Sequence, residues 1–129
     1  MSYYITKTIN ENFTKTVAIV TEELKKEGFG VLSEIDVKST LKNKLDVDFR
    51  NYRILGACNP PFAYKALQIE EHVGTMLPCN VVIQEKENEQ TEIFAVDPVA
   101  SMQAIDNPLL LEISKAIQNK LKKVINNIN

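Results

Sequence analysis

Histidine occurs once in this chain, at His72, while arginine occurs only at Arg50 and Arg53 and cysteine only at Cys58 and Cys79. One histidine and two cysteines, with no Cys-x-x-Cys spacing, fall short of the four ligands a tetrahedral zinc site needs, so no metal site is expected. His72, flanked by Glu70 and Glu71, reads as a surface residue. Arginine is the usual anchor for phosphates and bases, and it is scarce here. The net charge of −2, from 15 basic and 17 acidic side chains, gives no long-range pull on nucleic acid or anionic lipid. Neither nucleic acid nor a membrane is an expected partner. No apolar run approaches the roughly 18–20 residues that span a bilayer. The opening Met1-Ser2-Tyr3-Tyr4-Ile5-Thr6-Lys7 lacks the basic patch and apolar stretch of a secretory signal, so a cytoplasmic location is expected, with both thiols reduced. Glycine-rich phosphate loops, dinucleotide fingerprints and serine-hydrolase elbows are missing, and no cofactor is indicated.

What is present is an ordinary globular chain of 129 residues, 44% hydrophobic and 25% charged, long enough for one core and one domain over residues 1–129. Alternating residues 3–9 suit a strand. Asn12 then caps a helix carrying Phe13, Val17, Val20 and Leu24 on one face, which Gly28 ends. Residues 30–37 form a second strand, with Val31, Ser33, Ile35 and Val37 to one side and Leu32, Glu34 and Asp36 to the other. A short helix over 39–46 places Leu41 and Leu45 together, and 52–57 is a third strand. Asn59-Pro60 starts a helix that fades near Glu70. A connector over 73–78 leads to strands 80–86 and 91–96, a hairpin apolar on both faces that must be central or covered by a partner. The last helix follows Asn107-Pro108, with Leu110, Ile113, Ile117, Leu121, Val124 and Ile128 as its buried stripe. The order β-α-β-α-β-α-β-β-α implies an α+β fold: a single mixed sheet of about five strands with helices packed on it.

The most distinctive feature is a doubled Cys-Asn pair beside proline: Cys58-Asn59-Pro60-Pro61 at a strand-to-helix junction and Pro78-Cys79-Asn80 at a strand start. Free N–H groups at a helix start favour a thiolate or an anion, which makes Cys58 the more acidic thiol and the junction a candidate site. The plainer alternative is that both cysteines are small core residues and Asn59 is only a cap. Burial with backbone hydrogen bonds is expected for both Asn59 and Asn80. Glu34 and Asp36 are paired carboxylates of the kind that bind metal or exchange protons, although a solvated strand face explains them as well. Asp97-Pro98 reads as a turn start unless Asp97 meets the thiols. Arg50 and Arg53 are expected to pair with Asp46 or Asp48, and the lysines of the last helix to serve its dipole and solubility.

Four ordered segments carry a resemblance: Gly28-Phe29-Gly30-Val31-Leu32-Ser33-Glu34-Ile35-Asp36-Val37, Arg53-Ile54-Leu55-Gly56-Ala57-Cys58-Asn59-Pro60-Pro61, Leu77-Pro78-Cys79-Asn80-Val81-Val82 and Ala95-Val96-Asp97-Pro98. Together they resemble the prokaryotic Domain of Unknown Function 302 family. The resemblance implies a small α+β domain, a homodimer, no established activity and no catalytic residues to carry over. It also marks the two Cys-Asn segments as signature positions. Three functions remain open. The chain is a non-enzymatic homodimer binding a small molecule or partner near Cys58, Asn59, Cys79 and Asn80, a thiol-dependent enzyme or redox carrier using one or both cysteines, or a structural or regulatory module. The distance between the cysteines depends on topology: a parallel crossover separates them, whereas an antiparallel return brings them together.

Overall fold

The computed structural model describes residues 2–129. Strand β1 (Tyr4–Ile9) leads into helix α1 (Phe13–Lys26), where the Asn12 side chain accepts a hydrogen bond from the Lys15 amide. Helix α1 buries Phe13, Thr16, Val20 and Leu24. Thr16 replaces Val17 at the centre of that face, its hydroxyl donating to the Asn12 carbonyl at 2.7 Å, so no polar atom is stranded. Gly28, at φ +85°, closes the helix, with the Phe29 amide reaching back to the Leu24 carbonyl at 3.0 Å.

The next elements are β2 (Gly30–Asp36), α2 (Val37–Leu45), β3 (Tyr52–Cys58) and α3 (Pro60–Ile69). A 3-10 turn over Glu71–Met76, where the sequence suggests only a connector, leads to β4 (Cys79–Glu85) and β5 (Thr91–Val96). A short helix α4 (Pro98–Ser101) and a 3-10 turn precede the long α5 (Leu110–Asn127). Helix α4 was not expected. Asp97 builds it, since its carboxylate accepts the amides of Val99 and Ala100 where the sequence suggests a simple turn. In α2, Leu45 is exposed and no residue is buried, so the expected apolar face packs little.

The five strands form one sheet in the order β1-β5-β4-β3-β2. Every pairing is antiparallel, whereas a mixed sheet was expected from the βα units. The reason lies in what the helices connect. Helix α1 joins the two edge strands, and α2 and α3 sit in antiparallel returns between neighbours, so no helix makes a crossover between adjacent parallel strands. Helices α1 and α5 cover one face, burying Leu55, Val81, Ile83, Ile93 and Ala95 beneath Val20, Leu24, Ile117, Leu121 and Val124. All six stripe positions of the last helix region are buried, as their spacing implies. The opposite face carries Tyr4, Tyr52, Ile54, Val82 and Phe94, with Val82 paired to Phe94 and the rings of Tyr4 and Tyr52 set edge-on to Phe94. Both faces of the hairpin are thus apolar, and α1 and α5 cover only one.

A bulge between Val31 and Ser33 shifts the register of edge strand β2. Leu32 is thereby left unpaired and 71% exposed, and the alternation expected along this strand breaks, setting Val31 on the opposite side from Ser33 and Ile35. Among the described residues, no helix is long and apolar enough to cross a membrane.

Candidate ligand pocket

The antiparallel return from β3 to β4 brings the two Cys-Asn segments to the same end of the sheet. Ala57 pairs with Cys79, so Cys58, one residue on, is its diagonal neighbour. Close approach of the two segments depends on Gly56. A Cβ there would fall on Ser33 Oγ and lie 2.9 Å from Pro78 Cγ. Beside this junction, α3, the first half of α5, Phe29, Leu32 and Met102 line a cavity of about 260 Å³ that is partly open to solvent. Both thiols line it, together with apolar groups such as Phe62, Ala66, Leu77, Leu110, Ile113 and Ile117.

Asn59 is 7% exposed and occupies the cap position of α3 without capping it. Its amide instead donates to the Glu27 carbonyl at 3.1 Å, satisfying one of the open carbonyls at the end of α1. Asn59 therefore ties the pocket rim to the neighbouring helix. The helix start is also a poor anion site. Pro60 and Pro61 fill its first two positions and supply no N–H, leaving Phe62 as the free donor of the first turn.

Asn80 behaves differently from Asn59, against the expectation that both are buried. Strand alternation places it on the face opposite Cys79, where it is exposed and outside the pocket. Glu34 and Asp36 do share a face, but Arg53 pairs with both, at 3.0 and 3.4 Å. The Ser39 amide and then Arg53 hold the Asp36 carboxyl below its ordinary pKa. Arg50 donates to Gln84 and stacks on Phe49, while Lys42 takes Asp46 and Asp48, so neither arginine has its expected partner. Asp97 caps α4, accepts two bonds from Gln118 and does not line the cavity. His72 lies exposed beside Glu70 and Glu71. None of Glu34, Asp36, Asn80 or Asp97 lines the cavity.

The two thiols differ in accessibility. Cys58 is half-buried and Cys79 is buried. Burial, with a smaller contribution from Cys58, pushes the Cys79 thiol up to about 11 from an ordinary 9.0. Folding thus favours the protonated form, and the stability Cys79 contributes is complete below about pH 9 and lost as pH rises toward 11. Wild-type protein is expected to lose about 2 kcal/mol more than Cys79→Ala over that window. Urea unfolding at both pH values measures this, and parallel profiles for the two proteins would contradict it. Alkylation near neutral pH is expected to label Cys58 first and leave Cys79 unmodified in the folded protein.

Comparison with known proteins adds a family. A family model described as domain of unknown function DUF302 matches residues 5–128. A crystal structure of an uncharacterized conserved DUF302 protein from Bacillus stearothermophilus superposes with a TM-score of 0.92 at 30% identity, covering 100% of both chains. No curated protein matches the chain.

Proposed function

The chain belongs to the DUF302 family, and from that premise we propose that it is a non-enzymatic homodimer that binds a small apolar molecule in the pocket beside Cys58, Asn59 and Cys79. The observation that carries this reading is the cavity itself. Small-molecule sites are concave and mostly apolar, and this cleft of about 260 Å³ has an almost wholly apolar wall. Catalysis by the thiols is the weaker reading. Cys79 is held protonated, and among the described residues no carboxylate, imidazole or amine lines the cavity to act as a base.

The second copy would cover the sheet face left open by α1 and α5. Five strands about 4.8 Å apart and about six residues long present roughly 500 Å² in projection. Side-chain relief brings that toward the roughly 800 Å² per partner of a stable interface. The centre of the face is aromatic and aliphatic; of its polar residues, Thr6, Glu92, Gln84 and Arg50 are hydrogen-bonded to one another, and Thr8 and Asn80 stand exposed toward the rim. Native mass spectrometry tests both parts. The expected result is a dimer at micromolar concentration that retains an added small apolar molecule, with Phe94→Lys giving a monomer that still binds it. A wild-type monomer would overturn the dimer, and failure to retain any apolar molecule would overturn the pocket.

A further inference from the structure

The chemistry of the pocket wall narrows what it can hold and adds a reaction. Among the described residues its lining contains two thiols, one amide and one hydroxyl, but no charged side chain. The amide N–H of Asn59 is engaged by Glu27, and the Ser114 hydroxyl donates to the Leu110 carbonyl at 2.9 Å. A charged group inside would lose its hydration and find no partner, so the buried part of a ligand is neutral. Its size follows from volume. A dry cavity of roughly 150 Å³ accommodates benzene, so about 260 Å³ takes on the order of ten non-hydrogen atoms. The rim is apolar as well, with Leu32 and Leu67 71% and 46% exposed. The β2 bulge is what leaves Leu32 there.

Two thiols line this volume. Cys79 is 6% exposed and its thiol has no hydrogen-bond partner among the described residues, whereas Cys58 is only half-buried and is the more accessible. A polarizable, uncharged wall with one reachable nucleophile suits a soft, apolar electrophile. We propose that Cys58 covalently captures medium-chain α,β-unsaturated carbonyl compounds in this pocket, an inference that rests on the pocket being a ligand site.

In that step the partly exposed Cys58 gives its proton to solvent, its Sγ forms a bond to the β-carbon of the enone and the carbon–carbon π bond breaks. Its electron pair passes to the carbonyl as an enolate. The α-carbon then takes a proton from solvent, replacing the one the thiol released, and the carbonyl is restored. The product is a thioether with no leaving group, and no oxidant or reductant is consumed. The pocket's contribution is to hold the chain so that the β-carbon stays close to Sγ, raising the effective concentration of the electrophile. Cys79, deeper and protonated, takes no part in bond formation.

The test uses a straight-chain eight-carbon methyl enone, its saturated ketone and the five-carbon homologue of the enone, with wild type, Cys58→Ser and Cys79→Ser. Intact-mass and peptide mapping should show one enone added at Cys58 in wild type and in Cys79→Ser, and none in Cys58→Ser. Relative to glutathione, the eight-carbon enone should react at least about ten-fold faster than the five-carbon one. The saturated ketone reports on the pocket alone, through thermal stabilisation without a covalent bond. Stabilisation by the ketone with no adduct at Cys58 would overturn capture and leave the binding site standing. Equal relative rates for the two enones, or addition chiefly at Cys79, would also overturn capture. If neither ketone nor enone is held, the pocket reading falls with it.

Discussion

Leu121→Ala is expected to lower the unfolding free energy by about 2–5 kcal/mol, measured by urea or thermal unfolding. Leu121 is fully buried at the centre of the α5 stripe, where the helix lies against α1 and the β1–β5 side of the sheet. Its removal costs the transfer free energy of the lost methyl and methylene groups, together with the contacts across the cavity left behind. Neighbouring Leu24, Val124 and Ile125 are also nearly inaccessible, so little can collapse into the space. Val20→Ala and Ile117→Ala lie in the same layer and are expected to cost less, through smaller volume and slightly greater exposure respectively. A loss below about 0.5 kcal/mol for Leu121→Ala would show that α5 does not pack as described.

Gly56→Ala is the second large effect, about 1–3 kcal/mol of destabilisation from a single added methyl. The new Cβ meets the Ser33 hydroxyl on one side and the Pro78 ring on the other, at 2.9 Å for the ring carbon. Ser33 can turn its hydroxyl aside, at the cost of its present rotamer, because its Cβ lies at 3.5 Å, but the Pro78 ring is rigid, so full relief requires moving the segment entering β4. Because Pro78 and Cys79 form the pocket wall, the same change should also weaken ligand binding. Adding Ser33→Ala removes one of the two collisions and should restore part of the stability, a coupling that a double-mutant cycle reads directly. Strict additivity of the two substitutions would place Gly56 away from Ser33.

The elements were legible where one physical rule governs them. The cap of α1 and the apolar spacing of α1 and α5 depend on local hydrogen bonding and a single buried stripe; α1 lies where those signals put it, whereas α5 starts at Leu110, two residues past Pro108, without a side-chain cap. The two-sided apolar character of Val81, Val82, Ile93 and Phe94 also reads directly, because strand alternation is local. Strand order was not legible. Nothing in residues 30–58 tells whether a short helix returns a strand antiparallel or carries it across, so the sheet was expected to be mixed. The convergence of Cys58 with Cys79 hangs on that same choice, and so does the separation of Asn80 from the pocket. Asn59 read correctly as buried at the helix start, but its Glu27 partner is a tertiary contact 32 residues away. Leu110, Ile113 and Ile117 read as core positions, and core positions they are. That one end of their stripe faces a void rather than a packed neighbour depends on how α3, Met102 and Phe29 are placed around it, which no spacing encodes.

Thermal unfolding of wild type and Ala63→Phe across a series of straight-chain primary alcohols tests the pocket most directly. Ala63 lines the cavity and is half-buried, so a phenyl group there occupies the volume without replacing a thiol. Wild type should be stabilised increasingly with chain length up to about ten non-hydrogen atoms, the number the cavity admits. At a concentration one hundred times the dissociation constant the gain is about 2.7 kcal/mol, a shift of several degrees in the unfolding midpoint. Ala63→Phe should show no such gain. Equal shifts in the two proteins, or none in wild type at any chain length, would contradict a ligand site in this cavity.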